Sequence, residues 1–169
     1  MITLILGGAR SGKSRYALSL AKKYEKVAFI ATCQALDKEM KERILKHQKV
    51  RPKSWKTYEE PMNLVPLLMK VGDAFDCVII DCLTLLVSNL FLSGLKDVEV
   101  LKKVNALFAV IEKEKAKVII VSNEVGLGIV PANKLSRDFR DIAGKVNQAA
   151  VKVADEVFFV ISGLPLKLK

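Results

Sequence analysis

Gly7-Gly8-Ala9-Arg10-Ser11-Gly12-Lys13-Ser14 is the stretch that most limits what this chain can fold into. The pattern G-x-x-x-x-G-K-[ST] is a phosphate-binding loop when a strand leads in and a helix leads out. Ile2-Thr3-Leu4-Ile5-Leu6 is short, apolar and β-rich, which predicts a buried strand. After the loop, Ala17, Leu20, Ala21 and Tyr24 recur at i, i+3, i+4 and i+7, the stripe of an amphipathic helix. Strand, glycine loop and helix therefore occur in the order the motif requires. A merely Gly-rich turn has no need of that context.

The chemistry follows from the loop. Glycines at 7, 8 and 12 allow positive φ and close approach of backbone to ligand. Successive N–H groups and a helix N-terminus then favour a polyphosphate. Lys13 is expected to neutralise β- and γ-oxygens, and the Ser14 hydroxyl to reach Mg²⁺.

The rest of the chain alternates strand and helix. Strands are predicted at Val27–Ala31, Cys77–Asp81, Val118–Val121 and Val157–Ile161, with a short last strand near Leu166–Leu168 after Gly163. Helices are predicted from Asp37, an N-cap candidate, to about His47, and from Glu60-Pro61 to Val71. Others run from Leu83 to Leu92, Asp97 to about Lys115, and Ser136 to Ala154. That alternation predicts one α/β domain over residues 1–169. It should be a P-loop NTPase-like (RecA-like), mostly parallel sheet with helices on both faces and a C-terminal hairpin strand. Ligands bind at the carboxyl ends of such strands, where the loop, Thr32, Asp81 and Asn123 should converge. Asp81 fits a Walker-B acid holding Mg²⁺, and it also fits an N-cap for the helix at Leu83.

Composition narrows the function class. No apolar run is long enough for a membrane span. The apolar start has no basic segment and is broken early by glycines, so no signal peptide is expected and a cytoplasmic protein is. Cys33, Cys77 and Cys82 form no C-x-x-C pair and His47 is the only histidine, which argues against a zinc site or a disulfide framework. The net charge is +10, but the lysines are scattered and aromatics are only 7%. That reads as a solvated surface, not a stacking groove for nucleic acid, and no nucleic-acid partner is expected.

His47 is the most informative single residue. On a helix Glu39, Arg43 and His47 share a face, with Lys49 and Arg51 just beyond. Neighbouring cations favour the neutral, nucleophilic imidazole and would also bind a triphosphate. By spacing alone, a lone histidine on an exposed helix reads first as a surface residue.

Several motifs in order resemble the bifunctional adenosylcobinamide kinase / adenosylcobinamide-phosphate guanylyltransferase family of cobalamin biosynthesis. They are Gly7 to Ser14, Ile30-Ala31-Thr32, the stretch from Asp37 through Arg43-Ile44 to His47, and Arg51-Pro52 with Trp55. Asn123-Glu124-Val125-Gly126, Gly128-Ile129-Val130-Pro131, Phe139-Arg140-Asp141-Ile142-Ala143-Gly144 and Asn147-Gln148 follow. The resemblance runs from Gly7 nearly to the C-terminus. It implies two reactions. A nucleoside triphosphate, ATP or GTP, phosphorylates the aminopropanol hydroxyl of adenosylcobinamide. GTP then guanylylates a histidine, and the substrate phosphate takes the GMP to give adenosylcobinamide-GDP. It implies that His47 is that histidine. It implies that Gly7, Gly8, Ala9, Arg10, Ser11, Gly12, Lys13 and Ser14 contact nucleotide. So would Ala31, Thr32, Cys33, Gln48, Lys49, Val50, Arg51, Glu59 and Asp81. It further implies a homotrimer.

Gln48 stands where the family carries a basic residue, Cys33 where it carries a smaller one, and the segment from Leu92 to Val98 is short. Two rivals remain. A plain small-molecule P-loop kinase uses Lys13, Ser14 and Asp81 and leaves His47 without a role. A nucleic-acid-dependent P-loop ATPase is suggested only by the charge.

Overall fold

A computed structural model describes residues 1–35 and 38–169, with the side chains at 39, 43 and 46 left out. The expected cap at Asp37 and the shared face of Glu39 and Arg43 with His47 lie outside the described residues.

Seven strands form one sheet in the order β3-β2-β4-β5-β1-β6-β7. They are β1 Ile2–Gly7, β2 Val27–Ala31, β3 Lys56–Glu59, β4 Cys77–Asp81, β5 Lys117–Val121, β6 Glu156–Ile161 and β7 Leu164–Lys167. All neighbours pair in parallel except β6 and β7, which form an antiparallel hairpin. Central strands covered on both faces must be apolar throughout. β1, β2 and most of β4 and β5 are accordingly buried residue by residue.

The helices are α1 Lys13–Ala21, α2 Lys38–Lys49, α3 Leu64–Val71, α4 Leu83–Leu92, α5 Asp97–Ile111 and α6 Lys134–Val153. Alternate strand residues feed two cores. Ile5, Phe29, Ile79 and Ile119 pack with Ala17 and Ala21 of α1 and with Trp55. Leu4, Ile30, Ile80 and Ile120 pack with residues of α3, α4, α5 and α6. Helices on both faces of a mostly parallel sheet were expected, and this is the arrangement found.

Some boundaries differ from those read in the sequence. β3 was not expected, because Lys56-Thr57-Tyr58-Glu59 is a mostly exposed edge strand without an apolar run. α3 opens at Leu64 and not at Glu60. The Glu60 carboxylate instead accepts from the amides of Met62 and Asn63, at 3.0 and 2.8 Å, and holds a turn ahead of the helix. α5 stops at Ile111, where the apolar stripe gives way to Glu112-Lys113-Glu114-Lys115. α6 begins two residues early because the Asn133 side chain caps it, accepting from the Ser136 amide at 2.7 Å.

The β-order places the site. Chain entering from β1 goes to one side through α1 to β2, and chain from β5 returns through α6 to β6 on the other side of β1. The resulting crevice opens at the carboxyl ends of β1, β5 and β4.

Candidate active site

The glycine loop leaves β1 and enters α1 directly. Gly7 has φ 149° and Gly12 φ 101°, and Arg10 also lies in the left-handed region with φ 54°. A Cβ on Gly7 would stand 2.5 Å from the Val160 carbonyl oxygen, so only glycine fits. No side chain caps α1, which leaves its first amides available to an anion. Lys13 is 6% exposed. Its ammonium donates to the Gly8 carbonyl and to the Ser11 hydroxyl, curled over the loop where a phosphate would lie.

Sheet register sets the next residues side by side. Glu59 of β3 pairs with Ala31 of β2, and Ala31 pairs with Asp81 of β4. Thr32 then locks the β2 end to the β4 end. Its amide donates to the Asp81 carbonyl at 3.1 Å. Its hydroxyl donates to the Cys82 carbonyl at 2.7 Å and accepts from the Cys82 amide at 2.8 Å. The Asn89 side chain donates to the Thr32 and Pro61 carbonyls, at 2.8 and 3.0 Å. The Asp81–Cys82 peptide is cis.

Asp81 is the hub. Its carboxylate accepts a hydrogen bond from Ser14, and His47, Arg51 and Lys13 all act on its charge. Burial pushes its carboxyl up, and those four neighbours, His47 foremost, pull it back. The alternative role as a helix cap is not realised. Cys82 caps α4, its sulfur accepting from the Leu85 amide at 3.4 Å. Cys77 and Cys82 are buried thiols in no disulfide, and burial pushes both up to about 12.

The end of α2 and the residues just after it divide between contacts and solvent. Gln48 donates to Glu59 at 3.2 Å. Arg51 lays its guanidinium on the Phe29 ring, 3.6 Å from the centroid. Burial draws its pKa down, while Asp81 and Glu59 hold it up. Among the described residues its Nη1 is buried and without a hydrogen-bond partner. Lys49 and Val50 are exposed beside them, as are Gly8, Ala9 and Arg10 at the loop tip. Cys33 is half-buried and offers its thiol to the Gln34 carbonyl at 3.8 Å.

One cluster carried no role in the sequence reading. Thr84, Ser122 and Asn147 are buried polar residues joined by hydrogen bonds across α4, β5 and α6. The signal was present: Thr84 interrupts an apolar helix and Asn147 sits in the buried stripe of α6. Asn123, expected at the crevice, lies there, its amide donating to Thr84 at 2.6 Å.

The chain has relatives among known proteins. The family model described as "Cobinamide kinase / cobinamide phosphate guanyltransferase" matches residues 3–168. The chain belongs to this family. It is 42% identical over 181 residues to the bifunctional adenosylcobalamin biosynthesis protein CobU of Salmonella typhimurium, all of both chains being covered. It is 44% identical over 171 residues to CobP of Pseudomonas aeruginosa, a protein of the same description, covering 100% of this chain and 98% of that one. Among solved structures it resembles a KaiC-like protein of Pyrococcus horikoshii, with TM-score 0.56 and 13% identity over 94% of this chain and 69% of the other. It also resembles the RadB recombinase, with TM-score 0.51 and 14% identity over 94% and 73%. At such identities these two show the P-loop NTPase fold alone. As a member of its family the protein is a cobinamide kinase and cobinamide phosphate guanylyltransferase.

Proposed function

We propose that one nucleotide cradle, in a single domain spanning residues 1–169, serves both reactions, with His47 as the nucleophile that carries GMP. The observation that carries this reading is Asp81. One carboxylate feels both Lys13 of the phosphate loop and His47 at the end of α2. That shared neighbour supports a reading in which cradle and imidazole serve one site.

In the kinase reaction the α1 amides and Lys13 hold the triphosphate. Lys13 trades its loop contacts for the phosphate oxygens. The donor set fits Mg²⁺, which takes one or two protein oxygens and completes its shell with phosphates and water. Ser14 and Asp81 are adjacent hard oxygen donors at the cradle, and they would hold the ion. When bound, it neutralises charge on the β- and γ-oxygens. ATP or GTP serves as phosphoryl donor, and adenosylcobinamide as acceptor.

In the transferase reaction an imidazole nitrogen of His47 attacks the α-phosphorus of GTP. The P–N bond forms, the bond to the β-phosphate breaks, and pyrophosphate leaves with the electron pair. A phosphate oxygen of the cobinamide phosphate then attacks the same phosphorus and the P–N bond breaks. Splitting the displacement in two is the use of covalent catalysis. Arg51, whose buried Nη1 has no partner among the described residues, and the Glu59–Gln48 pair would hold the nucleotide beside it.

The protein acts in the cytoplasm as a homotrimer, in line with its family. Leu127, Ile129, Val130 and Leu135 are exposed apolar side chains in and just after the segment before α6, available to another copy.

The test is GTP labelled at the α-phosphate. We expect label on the protein in an acid-labile, alkali-resistant bond, and none on His47→Asn. Label that persists in His47→Asn, or an alkali-labile bond, would overturn the assignment. No covalent label would favour the plain kinase. Hydrolysis stimulated by nucleic acid would favour the ATPase.

A further inference from the structure

Phosphoryl transfer to an alcohol needs a group that orients the hydroxyl and takes its proton. Among the described carboxylates at the strand ends, most are committed. Asp81 holds Ser14. Glu59 accepts from Gln48. Glu60 accepts from the amides of its own turn. Glu124 has partners too, and it differs from these in its place and in the way it is supported.

Its place is fixed by backbone. Glu124 follows β5, the strand between the P-loop strand β1 and the Asp81 strand β4. Its amide donates to the Gly7 carbonyl at 3.0 Å. The Glu124 backbone is therefore tied to the first residue of the phosphate loop.

Its support is a one-way relay. The Asn123 amide donates to the Thr84 hydroxyl at 2.6 Å. The Ser122 hydroxyl gives its proton to Asn147 Oδ1 at 2.7 Å, so in the 3.0 Å contact between Thr84 and Ser122 it is Thr84 that donates. Asn147 Nδ2 then donates to the Asn123 carbonyl and to Glu124 Oε2, both at 3.1 Å. The two acceptors fix which way the amide points. Glu124 Oε1 accepts from the Gly126 amide at 3.3 Å. Asn147 is only 5% exposed, whereas Glu124 is half-buried at the crevice. Buried polar groups are costly unless fully satisfied. Here a chain of them ends on one carboxylate, which is held in a single orientation with lone pairs left over. A carboxylate has about four acceptor positions.

We infer that Glu124 is the acceptor-side catalytic residue of the kinase reaction, accepting the hydrogen bond of the cobinamide hydroxyl. As the hydroxyl oxygen bonds to the γ-phosphorus, its proton passes to Glu124. The bond from the γ-phosphorus to the bridging oxygen breaks, and the nucleoside diphosphate leaves with that electron pair. Asn147 is a positioning residue that acts through Glu124. The inference rests on the kinase activity of the family.

The experiment compares wild type, Glu124→Gln and Glu124→Asp with cobinamide, Mg²⁺ and nucleoside triphosphate. Kinase kcat, KM for the nucleotide, thermal midpoint and GMP labelling of the protein are read for each. Glu124→Gln should lower kinase kcat about a hundredfold or more, the range of general-base catalysis. Its nucleotide KM and thermal midpoint should hold, and it should still take label from GTP. Glu124→Asp should recover part of the rate. Kinase kcat within threefold of wild type in Glu124→Gln would overturn the inference. So would parallel loss of both half-reactions with a lowered midpoint in both variants, which is the signature of a structural clamp. A wild type that fails to phosphorylate cobinamide would overturn the kinase assignment and this inference with it, whereas wild-type turnover matched by Glu124→Gln overturns this inference alone.

Discussion

The amide of Gly163 donates a hydrogen bond to the carbonyl of Ser11 at 2.8 Å, so the C-terminal hairpin braces the phosphate loop. Ile161 pairs with Leu164, leaving Ser162 and Gly163 as a two-residue turn. Both have positive φ, 50° and 89°, as a tight hairpin of right-handed twist requires. A Cβ on Gly12 would lie 3.2 Å from the Gly163 Cα, so the loop and the turn also touch. Gly163→Pro removes the donor and cannot take the turn's φ. It should weaken nucleotide binding about tenfold. Gly163→Ala keeps the donor and meets open space. It should cost about 1–2 kcal/mol of stability through φ alone and spare nucleotide affinity. Titration of both variants with nucleotide checks this, and an unchanged Kd in the proline variant would count against a brace.

Asp81→Asn separates charge from fold. Because burial raises the Asp81 carboxyl, its ionised form costs the apo protein stability at neutral pH, and that cost is relieved as pH falls through the folded value. The asparagine variant should therefore be at least as stable as wild type at pH 7. Its activity at limiting Mg²⁺ should fall about a hundredfold or more, by analogy with the loss of a positioned electrostatic group. Thermal midpoints and Mg²⁺ titrations of turnover decide it. Full activity at limiting Mg²⁺ would leave Asp81 without a metal role.

Much of this was legible before the fold was seen. Strand and helix order followed from apolar runs such as Val78-Ile79-Ile80 and from the stripe of α6, because burial on both faces leaves an unmistakable pattern. β3 was illegible because it is exposed, and its partner β2 supplies the pairing that its own residues do not advertise. The Cys82 cap was hidden for a similar reason, since a thiol is a weak acceptor that sequence rules pass over. Glu124 was visible as a motif residue, but its role depends on Asn147, 23 positions away. Such a contact is made by α6 returning over the sheet, which no local pattern encodes.

Glu156 gives a pH test away from the crevice. Its carboxylate accepts from Lys167 at 2.9 Å, Thr3 at 3.2 Å and Lys117 at 3.5 Å. Lys167 above all holds its carboxyl below the ordinary 4.5. Burial draws the Lys117 ammonium down even though Glu156 holds it up. A carboxyl depressed in the folded state adds stability that is present above its unfolded value and is lost as pH falls through the folded one. The contribution should be about 1 kcal/mol or less, since the Lys167 end is exposed to solvent. Glu156→Gln should lower the thermal midpoint slightly at pH 7 and flatten its decline below about pH 4.5. Midpoints that decline in parallel for variant and wild type would contradict the assignment.

Arg51 should show opposite effects on fold and ligand. Its guanidinium lies 3.6 Å from the centroid of the Phe29 ring, a stack worth about 0.5–2 kcal/mol. Against that, Nη1 is buried with no partner among the described residues. An unsatisfied buried donor costs about 1–3 kcal/mol. The two nearly cancel, so Arg51→Met should change apo stability by less than about 1 kcal/mol. A methionine still packs on Phe29, and it leaves nothing orphaned. The ligand side is not balanced in this way. The orphaned donor is available to a nucleotide oxygen, and a hydrogen bond from a charged group is worth about 1.5–3 kcal/mol. Loss of that bond should raise the nucleotide Kd by about tenfold or more. Arg51→Lys should fail almost as badly, because an ammonium neither stacks flat on the ring nor offers the guanidinium fork. Calorimetric titration with nucleotide and thermal unfolding, run on both variants, read the two effects separately. A methionine variant that is strongly destabilised and still binds nucleotide normally would make Arg51 a structural residue.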